Sequence, residues 1–196
     1  MNREIYYDID ENINCRKLYI DFDQVILANC RKLYIDFDQV ILATEDLLFM
    51  EYEDKISKGI KVDKHKYLCE FDWEWLVHNS MVIANSIEIL KSIPEASILT
   101  KVHSLDNEAT AKIKYLRDNG VDNEVIIVPH KLRKIDVVSA YGNILVDDAV
   151  HNLDDWRKAG GIPIFFNKDG LNLDNWGESN TKYKKIRSLN MFKNRK

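Results

Sequence analysis

Asp36 and Asp38, inside the apolar run LYIDFDQVIL, are the residue types and spacing in this sequence best suited to chemistry. Side chains two residues apart at a strand end point the same way, so this pair can face one cation and one phosphoryl group together. The pair is present twice. Residues 14–28 (NCRKLYIDFDQVILA) recur unchanged at 29–43, so Asp21 and Asp23 duplicate Asp36 and Asp38. The identity extends to surface positions such as Arg16/Arg31 and Gln24/Gln39, which marks a recent duplication, since an old functional repeat would have drifted. A 15-residue unit occurring twice is too short to build a solenoid. Further polar residues end later apolar runs: Thr100 after Ala96–Leu99, Lys131 or Lys134 after Val125–Val128, and Asp147 with Asp148 after Asn143–Val146.

The elements that must position these residues follow from periodicity. Both copies of the repeat are short apolar runs bounded by polar residues, the pattern of strands. Residues 44–93 look helical, with Leu76, Ile83, Ile87 and Leu90 on one face and Pro94 closing the segment. A helix is predicted from about Asp106 to Asn119, with Leu105, Ala109, Ile113 and Leu116 as its apolar stripe and Gly120 as its stop. A helix over 149–159 ends in Gly160-Gly161, and Ile162–Phe166 is a last strand. Strands alternating with helices predict a parallel sheet with helices on both faces. From Thr181 to Lys196 there are seven basic residues and no acidic one. The expected form is a solvated or loosely docked C-terminal helix, with Tyr183, Ile186 and Leu189 as its docking face, in preference to a polyanion-binding arm.

Composition sets bounds on partners. At 196 residues the chain suits one domain with an appended lobe, large enough for a core without staples. Charged residues are 31% and hydrophobic ones 45%, an ordinary globular balance. A net charge of -4 gives no pull toward a nucleic-acid polymer or an anionic membrane. No apolar stretch approaches the roughly 20 residues needed to cross a bilayer. The segment MNREIYYDIDENIN lacks the layout of an export signal. Cys15 and Cys30 are one residue counted twice and Cys69 stands alone, so there is no disulfide framework and no metal-type cysteine spacing. The expectation is a cytoplasmic protein.

In an open parallel sheet, ligands sit beyond the carboxyl ends of the strands. Asp36 with Asp38, Thr100, Lys131 or Lys134, and Asp147 with Asp148 would all arrive there. In this order and spacing they resemble the four motifs of the haloacid dehalogenase superfamily of phosphotransferases, over most of residues 31–167. The resemblance implies a Rossmann-like three-layer α/β/α fold with a parallel sheet and a small helical cap inserted after the first motif strand. The core would be 1–43 and 94–180, with 14–28 an exact duplicate of 29–43. The cap would be 44–93 and the basic tail 181–196. It further implies that Asp36 attacks phosphorus and forms an aspartyl phosphate. Asp38 would protonate the leaving oxygen and then deprotonate water, with a pKa raised by its acidic neighbours. Asp36, the backbone carbonyl of Asp38 and Asp148 would hold Mg2+, with Asp147 in support. Thr100 would donate to a phosphoryl oxygen, and a lysine would neutralise charge. Lys134 is favoured over Lys131 because KIDVV, ahead of ILVDD, looks like the third motif. The family often has Gly after the second Asp, where this chain has Gln39. Copy two is favoured over Asp21 and Asp23 because it runs straight into the cap segment.

The substrate would be a small-molecule phosphate ester. ILVDDAVHNLDDWRKAGGIPIFFN, followed by Trp176-Gly177, looks like the 5'(3')-deoxyribonucleotidase branch and its bacterial and phage relatives. That implies a nucleoside monophosphate. In the cap, Phe71, Trp73 and Trp75, with Tyr67 nearby, form an aromatic cluster whose rings either stack on the base, the role assigned to Trp73 and Trp75, or make up the cap's own core. Phosphosugars or other small phosphate esters are the alternative substrates. A catalytically silent binding protein, its sheet distorted by the extra copy, is the alternative of a different class. A receiver domain would need its acidic pair early, whereas Asp147-Asp148 comes last. A homodimer is the one protein partner allowed for.

Overall fold

The second copy of the repeat supplies the central strand of the sheet. The computed structural model describes residues 31–168 and 182–193. The first copy with Asp21 and Asp23, the acidic N-terminal segment, Trp176-Gly177 and the start of the basic tail lie outside the described residues. Within them, β1 is Leu33–Ile35 and all three residues are buried. It pairs in parallel with β2 (Ser97–Val102) on one side and β4 (Ile144–Asp147) on the other. Adding β3 (Glu124–Pro129), β5 (Ile162–Phe166) and β6 (Lys184–Ile186) gives a six-stranded sheet of order β3-β2-β1-β4-β5-β6, parallel throughout. The order changes direction between β1 and β4, and ligands gather at such a switch point.

Alternation along the strands feeds two cores. Leu33 and Ile35 join Ile98, Ile144 and Val146 beneath one face, while Tyr34 joins Leu99, Leu145, Phe165 and Trp156 beneath the other. The first core is closed by α4 (Ser86–Lys91) and α5 (Thr110–Asp118), the second by α6 (Lys134–Val137) and α7 (Val150–Lys158). Burial on both faces is why these strands read as near-continuous apolar runs. The chain is thus an α/β protein with a Rossmann-like three-layer fold.

Three further helices, α1 (Thr44–Ser57), α2 (Lys64–Glu70) and α3 (Trp73–Asn79), leave the sheet after β1. The chain returns beside its point of departure. The Ala43 amide donates to Met81 O (3.0 Å), and the Ile83 amide to Ile41 O (3.0 Å). Ile83 therefore lies on this return and not on one helical face with Leu76, Ile87 and Leu90; Ala84 and Asn85, both at positive φ, separate α3 from α4. Leu68, Phe71, Trp73, Leu76 and Val77 belong to the same continuous core as β1, so the inserted helices pack onto the sheet layer.

The basic C-terminal segment forms a strand where a docked helix was expected. β6 pairs with β5 through Ile164↔Lys184, Phe165↔Lys185 and Phe166↔Ile186, and the 3-10 turn Leu189–Phe192 buries both its end residues. An open strand edge satisfied by three backbone pairings outweighs the weak local preference of KKI.

Gln39, in the turn after β1, has φ +55°. Its amide nitrogen reaches Asp46 Oδ1 (3.2 Å), while its Oε1 is buried without a partner among the described residues. Left-handed backbone costs a residue with a Cβ about 1 kcal/mol. Gln39→Gly should therefore stabilise the fold by about that amount, read as a higher midpoint in urea; a lower midpoint would show that the side chain matters more than the backbone.

Candidate active site

The turn that leaves β1 aims two carboxylates away from each other's partners. Asp36 is anchored by its own N–H, which donates to Val146 O (2.9 Å), and is only 7% exposed. The Asp36 Oδ1 accepts from the Phe37 amide (2.9 Å) and from Lys134 Nζ (2.8 Å). Lys134 begins α6, a single turn held by Ile135 and Val138 against the second core and by the Asp136 carboxylate on the Arg133 amide (2.9 Å). The result is a buried ammonium between Asp36 and Asp147, 2.6 Å from Asp147 Oδ2. Lys131, by contrast, is exposed.

Asp147 ends β4 and is fully enclosed. Besides Lys134, it accepts from the Ala149 amide (2.8 Å) and from Asn152 Nδ2 (3.2 and 3.1 Å). These bonds make it a fixed support. Carboxylate oxygens of Asp36, Asp147 and Asp148 lie within 4.8 Å of one another, the only such donor group among the described residues. Oxygen donors at this spacing suit a hard divalent cation, and Mg2+ fits the set. Electrostatics points the same way. Burial, with Asp147 and Asp38 adding to it against the pull of Lys134, pushes the Asp36 carboxyl up to about 7. Burial and the same neighbours, joined by Asp36 and Glu45, hold Asp148 well above the ordinary range. Burial opposes the charge on Lys134, yet Asp147 and Asp36 keep its pKa above the usual value. The acidic cluster has more negative charge than its one lysine offsets.

An Asp36 pKa raised in the fold above its unfolded value contributes stability below about pH 4, which is lost as pH rises through about 7. Mg2+ competes with protons for these carboxylates, so it should raise the melting temperature at pH 8 by at least about 3 °C more than at pH 5. Equal shifts at both pH values would contradict a cation at this cluster.

Asp38 belongs to a second buried group that the sequence reading missed. Its Oδ1 accepts from the Thr44 hydroxyl (2.6 Å) and its Oδ2 from Lys112 Nζ (2.6 Å). Lys112, on α5, is entirely buried and also donates to Glu108 Oε1 (2.7 Å), Lys101 O (3.3 Å) and the Thr100 hydroxyl (3.3 Å). Burial works against its charge, but Asp38 and Glu108 raise its pKa. Thr100 is fully buried and donates to Lys101 O (3.4 Å), so here its hydroxyl serves the Lys112 group. Burial pushes the carboxyls of Asp36 and Asp148 upward, and that of Glu45 with them.

The aromatic residues of the inserted helices occupy different places. Trp73 is 3% exposed and its indole N–H donates to Leu68 O (2.7 Å), so its ring packs in the core and is not open to stack on a ligand. Trp75 is 41% exposed and borders a cavity with Tyr67 and Phe71 that none of the candidate catalytic residues lines. A second cavity of about 420 Å3 adjoins the turn after β1, bordered by Gln39, Glu45, Asp46, Phe49, Met50 and Lys168.

No protein-family model and no curated protein matches the chain. Its fold is similar to that of several solved structures. A phosphonoacetaldehyde hydrolase-like protein from Oleispira antarctica aligns over 81% of this chain and 88% of that one, with TM-score 0.53 and 12% identity. A HAD hydrolase of family IA, variant 3, from Entamoeba histolytica aligns over 82% and 94%, with TM-score 0.53 and 11% identity. The magnesium-bound HAD-hydrolase YfnB from Bacillus subtilis aligns over 83% and 96%, with TM-score 0.50 and 15% identity. The parallel sheet with flanking helices described above is the fold these haloacid dehalogenase-type hydrolases share with this chain.

Proposed function

We propose that this chain is a Mg2+-dependent phosphomonoesterase that works through an aspartyl phosphate on Asp36. The observation that carries the reading is the placement of the Asp36 carboxylate. One oxygen is held by Lys134 and a backbone N–H, and the Asp147 and Asp148 carboxylates stand within 4.8 Å. Both bonds fall on Oδ1, and Oδ2 is the oxygen left to attack phosphorus. The ester oxygen then departs with a proton from Asp38, which for this step carries that proton on Oδ1 in place of the bond it accepts from the Thr44 hydroxyl. Water, deprotonated by Asp38, attacks the acyl phosphate and releases inorganic phosphate and the free Asp36 carboxylate. Lys134 offsets negative charge on Asp36 and on the transferring group throughout. Asp36, Asp148 and the Asp38 carbonyl are the proposed ligands of Mg2+, which when bound would neutralise the phosphoryl oxygens.

The substrate reading is a nucleoside monophosphate, supported by the resemblance of the final third to the deoxyribonucleotidase branch and by the cavity beside the site. Its volume suits a ligand of nucleoside size. Phe49 and Met50 give it an apolar surface, the role assigned from sequence to Trp73 and Trp75. Glu45, Asp46 and Gln39 on the same wall favour a second reading, a phosphosugar whose hydroxyls these groups would bind. Phosphate release from a panel of nucleotides and sugar phosphates separates the two. The expected result is release that needs Mg2+ and is fastest for nucleoside monophosphates. Faster sugar-phosphate turnover would overturn the nucleotide reading, and release from none of them would overturn the activity.

A further inference from the structure

Three of the chain's five histidines meet at one place. The ring centroids of His65 and His130 are 4.4 Å apart, those of His103 and His130 5.4 Å, and those of His65 and His103 5.9 Å. Each comes from a different element. His65 is in α2, His103 follows β2, and His130 follows β3, where its amide donates to Val102 O (2.8 Å). Cys69 lies one helical turn beyond His65, with Sγ 3.8 Å from His65 Nε2 and 3.4 Å from His103 O.

We propose that His65, Cys69, His103 and His130 form a site for Zn2+ or a similar borderline-soft metal, tying α2 to the carboxyl ends of β2 and β3. A thiolate with imidazoles selects such an ion, whereas the carboxylate cluster selects Mg2+, so the two sites sort their metals by chemistry. With bonds of about 2.3 Å to sulfur and 2.0–2.1 Å to nitrogen, two ligands of one tetrahedral zinc lie roughly 3.6 Å apart. The Cys69–His65 separation is close to this. His103 also has the outer partner typical of a metal-bound imidazole, since its Nδ1 is 3.5 Å from Glu108 Oε2. The ring nitrogens do not yet converge to one point, because only the acidic cluster has donor atoms mutually within 4.8 Å among the described residues. His65 is exposed and the other two residues are half-buried, and closing the site requires their rings to rotate toward Cys69.

The test is a Co2+ titration of the full chain in excess Mg2+, which keeps the acidic cluster filled. The expected result is one Co2+ bound per chain with a near-ultraviolet sulfur-to-cobalt charge-transfer band and tetrahedral visible bands. Zn2+ should displace it and, in large excess over its dissociation constant, raise the melting temperature by about 5–10 °C. Cys69→Ser should remove the charge-transfer band, and His130→Ala should weaken Co2+ binding at least about 10-fold. Cys15→Ser/Cys30→Ser should change neither. Metal-free melts of each variant check that it folds. No bound Co2+, a band that survives Cys69→Ser, or a band lost with Cys15 and Cys30 would overturn the site.

Discussion

Asp36→Asn should abolish phosphate release while leaving the fold intact. Loss of a nucleophile removes the covalent route altogether, and the expected fall in kcat is on the order of 10^4- to 10^6-fold. Stability should move little. Burial already pushes the Asp36 carboxyl up to about 7, so its charged form is disfavoured where it stands. A neutral amide of the same shape relieves that repulsion, and Lys134 keeps Asp147 as its partner at 2.6 Å. Asp21→Asn should leave the rate unchanged, because the central strand between β2 and β4 is formed by residues 33–35 of the second copy. Phosphate release and thermal melts on the two variants read both halves of the expectation. An active Asp36→Asn would exclude the covalent mechanism, and an inactive Asp21→Asn would move it to the first copy.

Lys112→Met should produce the largest loss of stability. Lys112 is wholly enclosed and bridges Asp38 and Glu108, of which Glu108 is 2% exposed. Removing one partner of a buried ion pair leaves an uncompensated charge and costs about 3–5 kcal/mol. In a domain of this size each 1 kcal/mol lowers the melting temperature by roughly 2–4 °C, so a fall of about 6–20 °C is expected. Adding Glu108→Gln should return part of the stability by removing the stranded charge, but not the activity, because Asp38 would still lack its partner. A loss below about 1 kcal/mol would mean that water reaches this group and screens it.

The apolar runs were the most legible part of this chain. β1, β2 and β4 are buried on both faces, so their sequences are nearly continuous in Ile, Leu and Val, and the ends of β1 and β4 bring Asp36 and Asp147 to the site. β6 was not legible, because LysLysIle is a strand only through its pairing with β5. The helix expected over 106–119 was placed correctly but rotated. Leu105, assigned to its apolar stripe, is 59% exposed, and the segment opens with a π-helical turn at Leu105–Ala109 before α5 begins. That turn helps bring Glu108 and Lys112 inward. A lysine in a helix bearing Lys114 and Arg117 reads as solvated, and only the four-residue spacing from Glu108 signalled a pair. Asn152, which fixes Asp147, gave no signal beyond its place in the first turn after the strand. The histidine cluster could not be foreseen, because its members lie far apart in sequence and meet only when β2, β3 and α2 are assembled.

The most direct measurement is to trap the phosphoryl group. The chain would be mixed with p-nitrophenyl phosphate and Mg2+, quenched in acid, reduced with borohydride and mapped by peptide mass spectrometry. Borohydride converts an aspartyl phosphate, and not a free aspartate, to homoserine. The account predicts homoserine at position 36 and nowhere else. Homoserine at position 21, or phosphate released with no reduced aspartate at all, would contradict it.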